Sequence, residues 1–372
     1  LKALAVFLCS ALAVTPSLAG AETIADHYHW TPVYVTGRPA AESPRQLALE
    51  QAAGKALPTW SSSIKSPLTG QTYPFTIVGT NPQTNPVTTQ LLYVPIALIV
   101  KFPGGVTLDP TKPGCKDTVP VTTRFFEGPN FEAVPLTSNG VSVGPAQVDD
   151  GFMRSEFWTY AAGTKYHVHL KAAAKLRVIT VSAPSGSTSV GGVCSGASHN
   201  IGEIDINAYD SLVQSIDEKY ATPNEIPLIL TYNVFETEGG CCILGYHSTY
   251  PAKGGGTQVY SVGAYNDAGI FSVPIEDIHA WTHEIGEAFN DPYINNGVPA
   301  WGHIGQQSGC QNNLEVGDPL TGTPFALTYK GFAYHPQELA DFSWFFRSKP
   351  SLGTGGKYSF EGTFDSVQGV CN

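Results

Sequence analysis

The apolar positions change character along the chain. From about residue 74 to residue 181 they fall in short runs rich in Val, Ile, Thr and aromatic residues, cut by Gly and Pro. The runs 75–78, 90–102, 119–126 and 177–181 predict strands. A mixed stretch, 148–160, predicts a short helix. Another is predicted at 42–55, where Leu47, Leu49 and Ala52 sit among good helix formers before Pro58. Ser and Gly dominate 182–198, which predicts a loop or a domain boundary. Beyond it, Ile206, Tyr209, Leu212, Val213 and Ile216 approach a helical period. Strands are predicted at 226–235 and 256–266, and helices at 272–292 and 337–346. The chain shows no internal repeat and no heptad pattern. The expected fold class is therefore α+β, with a strand-rich first half followed by a unit of mixed strands and helices.

The first residues bear on location. Lys2 precedes an apolar run from Ala3 to Val14, and the small residues Ala19, Gly20 and Ala21 follow Pro16. That pattern predicts a secretory signal peptide at 1–21 and an extracellular or periplasmic protein. The run is shorter than the roughly 20 residues a bilayer-spanning helix needs. The later run from Leu91 to Val100 contains Pro95 and reads as a strand, so no membrane contact is expected after signal removal. Residues 22–70 are an irregular segment and a candidate propeptide, 71–181 a strand-rich domain, 182–200 a linker or loop, and 201–372 a second domain. A net charge of −11, with 14% charged residues, argues against nucleic acid as a partner. Cys115, Cys194, Cys241, Cys242, Cys310 and Cys371 follow the leader, and an even number in an oxidising compartment predicts disulfides. The adjacent pair Cys241 and Cys242 is expected to bond to two separate partners.

The segment 272–292 carries the candidate chemistry. Ile278, Trp281, Ile285 and Ala288 form one apolar helical face, Pro274 suits a first turn, and Asp291-Pro292 ends the element. His283 and Glu287 are four apart and share a face, so both can grip one ion. Glu284 points about 100° away around the axis.

His283-Glu284-Ile285-Gly286-Glu287 resembles the His-Glu-x-x-His helix of the zincin metallopeptidases. The resemblance covers roughly residues 275–320. In that family the histidines bind zinc, and the intervening Glu is general base for the water on the metal. It implies zinc as the cofactor, His283 as a ligand and Glu284 as the base. Glu287 stands where the family has its second His. This departure lowers the charge of the site and opens it to another divalent ion. In the gluzincin branch a downstream Glu is the third ligand and a nearby Asp supports a zinc-bound His. By similarity those are Glu315 and Asp318, with His303 and Asp318 as competing third ligands. The second domain, 201–372, is then zincin-like. A wider span including 241–247 is similar to uncharacterised exported bacterial proteins.

Other readings stand beside this one. The competing reading of the motif is a solvated helix face capped by Asp291. His279 shares the face of His283 and reads as a surface or capping residue. His247 reads as structural. His167 and His169 lie on one side of a strand and can hold a metal, but the sequence shows no third ligand. Tyr334 and His335 are candidate oxyanion donors, and no Gly-x-Ser-x-Gly stands in a strand-to-helix context. The leading expectation is a secreted metal-dependent hydrolase acting on a protein or peptide, with 256–266 as a candidate edge strand for substrate. The alternative is an exported cell-surface or binding module with a structural or vestigial metal site.

Overall fold

A computed structural model of the chain describes residues 44–371 except 116, 195, 196, 272 and 351, with the backbone alone for 44 and 190–199. The expected signal peptide lies outside the described residues.

The protein is strand-rich α+β. The main sheet runs in the order Gly245–Pro251, Thr257–Tyr265, Glu225–Tyr232, Thr88–Lys101, Thr107–Leu108. His167–Ala172 and Arg177–Ser182 also pair with Thr88–Lys101. Thr88–Lys101, Glu225–Tyr232 and Thr257–Tyr265 are mutually parallel. Their unbroken apolar runs suit strands covered on both faces, as Ile96, Leu98, Leu228, Leu230 and Val262 are. This one sheet takes strands from both sides of the 182–200 segment. The predicted substrate strand is interior, because Gly245–Pro251 pairs along it and forms the edge on that side.

Four elements differ from expectation. The stretch 119–126 holds the helix Val121–Phe126 instead of a strand. Pro120 opens it, its carbonyl accepts the amides of Thr123 and Arg124, and packing of Val121 and Phe125 overrides their strand propensity. The Ser/Gly run forms the strand Thr188–Cys194, antiparallel to Ala197–Asp205. A ladder is made by backbone groups, which Ser and Gly carry as well as any residue. The helix predicted at 337–346 shrinks to Phe342–Phe345, because the amides of Glu338 and Ala340 bond to Thr323 and Val316 instead. Cys241 and Cys242 bond to each other across a cis peptide, which brings both side chains to one side. Cys310 bonds to Cys371, and Cys115 is also disulfide-bonded.

The helix His279–Asn290 begins later than Pro274 suggests. Asp277 has a positive φ of 47°, and its Oδ1 accepts the amide of Ile278, so the chain turns there before the helix starts. The helix packs on Thr257–Tyr265, Gly245–Pro251, Thr72–Val78 and Val148–Glu156. Trp281, Ile285 and Ala288 join the main core. All twelve helix residues are buried, polar ones included, so the solvated-face reading is excluded. Among the described residues no helix is long and apolar enough to cross a membrane.

Candidate metal centre

Three elements converge on the middle of the buried helix. The helix supplies His283, Glu284 and Glu287, and the strand Gly245–Pro251 supplies His247. Glu315 and Asp318 come from the turn after the strand Gln307–Asn313, where buried Leu314 and Val316 anchor the chain on either side of Glu315. These six side chains are between 1% and 5% exposed.

His283 Nε2 stands 3.1 Å from Glu287 Oε1, 3.5 Å from Asp318 Oδ1 and 3.9 Å from Glu284 Oε1. His247 Nδ1 lies 3.6 Å from both Glu284 Oε2 and Glu287 Oε2. Ligand atoms of His247, Glu287 and Glu315 lie within 4.8 Å of one another, as do those of His283, Glu284 and Glu287. Glu287 belongs to both groups.

The far side of each ring fixes its tautomer. His247 Nε2 is 3.3 Å from the carbonyl of Asp291, which can only accept, so Nε2 donates. His283 Nδ1 is 3.2 Å from Gln337 Oε1. Gln337 Nε2 donates to the carbonyl of Gly317 at 2.7 Å, which leaves Oε1 to accept from His283. In its neutral form each ring would aim a lone pair at the carboxylates, as metal-ligating histidines do when the other nitrogen is held by an acceptor. Asp318 approaches the Nε2 side of His283, and the supporting position on Nδ1 belongs to Gln337. Asp318 is itself held by Gln306 and Gln311.

Backbone crowding sharpens the arrangement. A Cβ on Gly317 would lie 2.4 Å from His283 Nδ1, and one on Gly245 would lie 2.9 Å from Glu284 Cγ. Gly at both positions lets the turn and the edge strand close on the helix. The amide of Gly317 also donates to Glu287 Oε1 at 3.1 Å.

Electrostatics mark the centre as short of positive charge. Burial, then Glu287 and Asp318, pushes the Glu315 carboxyl well above its ordinary range. Both oxygens of Glu315 are buried without a hydrogen-bond partner. Burial and Glu287 push Asp318 up to about 6 against the pull of His283. Burial opposes a charge on His283, yet Glu287, Asp318 and Glu284 together hold it well above its usual value. His247 is raised in the same way, burial opposing and Glu284 and Glu287 prevailing.

No family model, curated protein or solved structure matches the chain. The geometry of the cluster therefore carries the functional reading alone.

The remaining candidates fall elsewhere. His303 is exposed and stands 3.5 Å from the disulfide sulfur of Cys310. His279 is buried rather than on the surface. Its Nε2 accepts the amide of Gly322, and burial and then His283 push it down to about 3. The Tyr334 hydroxyl is committed to the carbonyl of Arg124 at 3.1 Å. His335 pairs with Asp277 at 2.7 Å at the rim of a cleft of about 320 Å³, also lined by Arg124, Asp117 and Tyr265. That cleft abuts the start of the helix at Asp277. Sequence reasoning passed over Gln337 and gave His247 a structural role. A buried His in a run as apolar as 243–250 was the available signal for His247. No spacing pointed to Gln337.

Proposed function

We propose that the chain is a metal-dependent hydrolase of exported type, zincin-like in its site, and acting on a peptide bond. The carrying observation is the pair of unpartnered, buried Glu315 oxygens grouped with His247 and Glu287, next to the second group of His283, Glu284 and Glu287. Four carboxyls (Glu284, Glu287, Glu315 and Asp318) face two imidazoles. With the four carboxyls ionised and both rings neutral, as ligation requires, four negative charges converge, and a divalent cation would offset half of them. Glu287, common to both groups, would hold it with His247 and Glu315 or with His283, and nitrogen and carboxylate donors suit zinc. When bound, such an ion supplies Lewis-acid polarisation of a carbonyl. Glu284 takes a proton from the attacking water and passes it to the leaving amine. The acidic cleft at the helix start is the natural seat for part of the substrate.

The experiment is Glu284→Gln. Peptide hydrolysis should fall by at least ~100-fold while zinc content by elemental analysis stays at the wild-type level. Full activity in that variant would remove Glu284 from the role.

One observation favours a second reading, that of a structural ion. The side chains of His283, Glu284 and Glu287 are only 2–5% exposed, which restricts substrate access. Metal stripping separates the two readings. A structural ion takes the cooperative unfolding transition with it, whereas a catalytic ion takes turnover and leaves most of the fold.

A further inference from the structure

A second cluster lies away from the helix. The strand His167–Ala172 buries Val168 and Leu170 and leaves His167 and His169 part-exposed on its other side. Their side chains are 21% and 31% accessible. Asp150, in the first turn of the helix Val148–Glu156, stands fully buried behind them. Its Oδ1 accepts the amide of Val168 at 2.7 Å, which fixes the carboxylate and leaves Oδ2 facing both rings. Oδ2 is 2.7 Å from His167 Nδ1 and 3.1 Å from His169 Nε2. The ring centroids are 4.7 Å apart.

The His169 contact is close but poorly aligned for a hydrogen bond. His169 Nε2 is buried and has no hydrogen-bond partner, so its ring is not aligned on the carboxylate. A hydrogen-bonded trio would satisfy that nitrogen, and here only His167 is satisfied. Unaligned donor atoms side by side are the arrangement of ligands around a shared ion. Bonds of ~2.0–2.2 Å at right or tetrahedral angles place neighbouring ligand atoms ~2.9–3.5 Å apart.

We propose that Asp150, His167 and His169 form a second divalent-metal site, independent of the cluster on the buried helix. Two imidazoles and one carboxylate select zinc, cobalt, nickel or iron(II) over calcium and magnesium. Arg154 is the nearest cation, with Nη1 3.3 Å from His167 Nε2. Its Nε donates to Val143 O at 2.7 Å and Nη1 donates to Tyr166 O. Arg154 therefore keeps carbonyl partners when His167 Nε2 carries the proton that ligation through Nδ1 requires.

The test is zinc titration of the chelator-treated full chain by calorimetry, with cobalt absorption as a second readout. Wild type should bind one more equivalent than His167→Ala/His169→Ala. Glu315→Gln should weaken a different equivalent, so failure of either site is visible without the other. Should the double variant lose its circular-dichroism spectrum, His169→Gln serves instead, with that equivalent expected at least ~10-fold weaker. Wild-type stoichiometry, affinity and cobalt spectrum in the folded variants would overturn the site.

Discussion

Strip the metal with a chelator, then follow thermal unfolding of the metal-free and zinc-loaded full chain from about pH 4 to about pH 8. In the metal-free protein the Asp318 carboxyl is pushed from 3.8 to about 6, so the folded state holds a proton that the unfolded chain has already released. Ionisation then favours the unfolded state, and stability falls as pH rises across that window, by at most about 3 kcal/mol. Glu315 is raised too and adds in the same direction. His283 is raised above 6.5, so its contribution is present below that value and is lost as pH climbs through its folded value. All three groups weaken the metal-free protein as pH rises. Zinc requires the ligands deprotonated, so its binding strengthens over the same range. The difference in melting temperature between the two forms should widen with pH, by roughly 4 °C for ~3 kcal/mol in a chain of this size. Buried acids outside the six-residue centre, such as Asp217 and Asp341, are also raised, but they are common to both forms and cancel in the difference. A difference that stays constant, or narrows with pH, would refute the reasoning.

Gly317→Ala puts a methyl 2.4 Å from His283 Nδ1. It should cost about 1–3 kcal/mol in denaturant unfolding and lower zinc affinity as His283 is displaced. Arg124→Ala removes the ion pair to Asp117 and the stacking on Phe332 and Tyr334. It should cost about 3–5 kcal/mol, and Asp117→Asn in the same chain should recover part of that in a double-mutant cycle. Cys310→Ser opens a disulfide whose cysteines are 61 residues apart. The loop-entropy relation puts the loss near ~4 kcal/mol, read as a lower denaturant midpoint.

The site helix was legible because it carries two signals at once. Ile278, Trp281, Ile285 and Ala288 give the buried face, and His283 and Glu287 share another. Its start was misplaced because Pro274 suits a first turn, while the capping turn at Asp277 depends on bonds to Ile278 and His335 that no local pattern reveals. The partners of the centre were harder to read. Glu315 and Asp318 stood out as acids in a turn, but the role of Gln337 rests on a hydrogen bond to a carbonyl twenty residues away in sequence. Asp150 is the same case. His167 and His169 announced themselves by alternation, yet their third partner comes from a separate helix. The helix Val121–Phe126 was misread because Val, Thr and Phe favour strands, and packing decided otherwise.

The order in which the main sheet is stitched together sets a condition on biosynthesis. Ile96 pairs with Ile229, more than a hundred residues later, and Leu228 pairs in turn with Ser261. The early strand Thr88–Lys101 leaves the ribosome long before Glu225–Tyr232 exists to cover its flank. A nascent chain halted near residue 200 presents a naked β-edge bordered by Val94 and Ile96, which invites pairing with other copies. Such a chain depends on a holdase until its C-terminal half arrives, and fragments ending there should accumulate as insoluble aggregate.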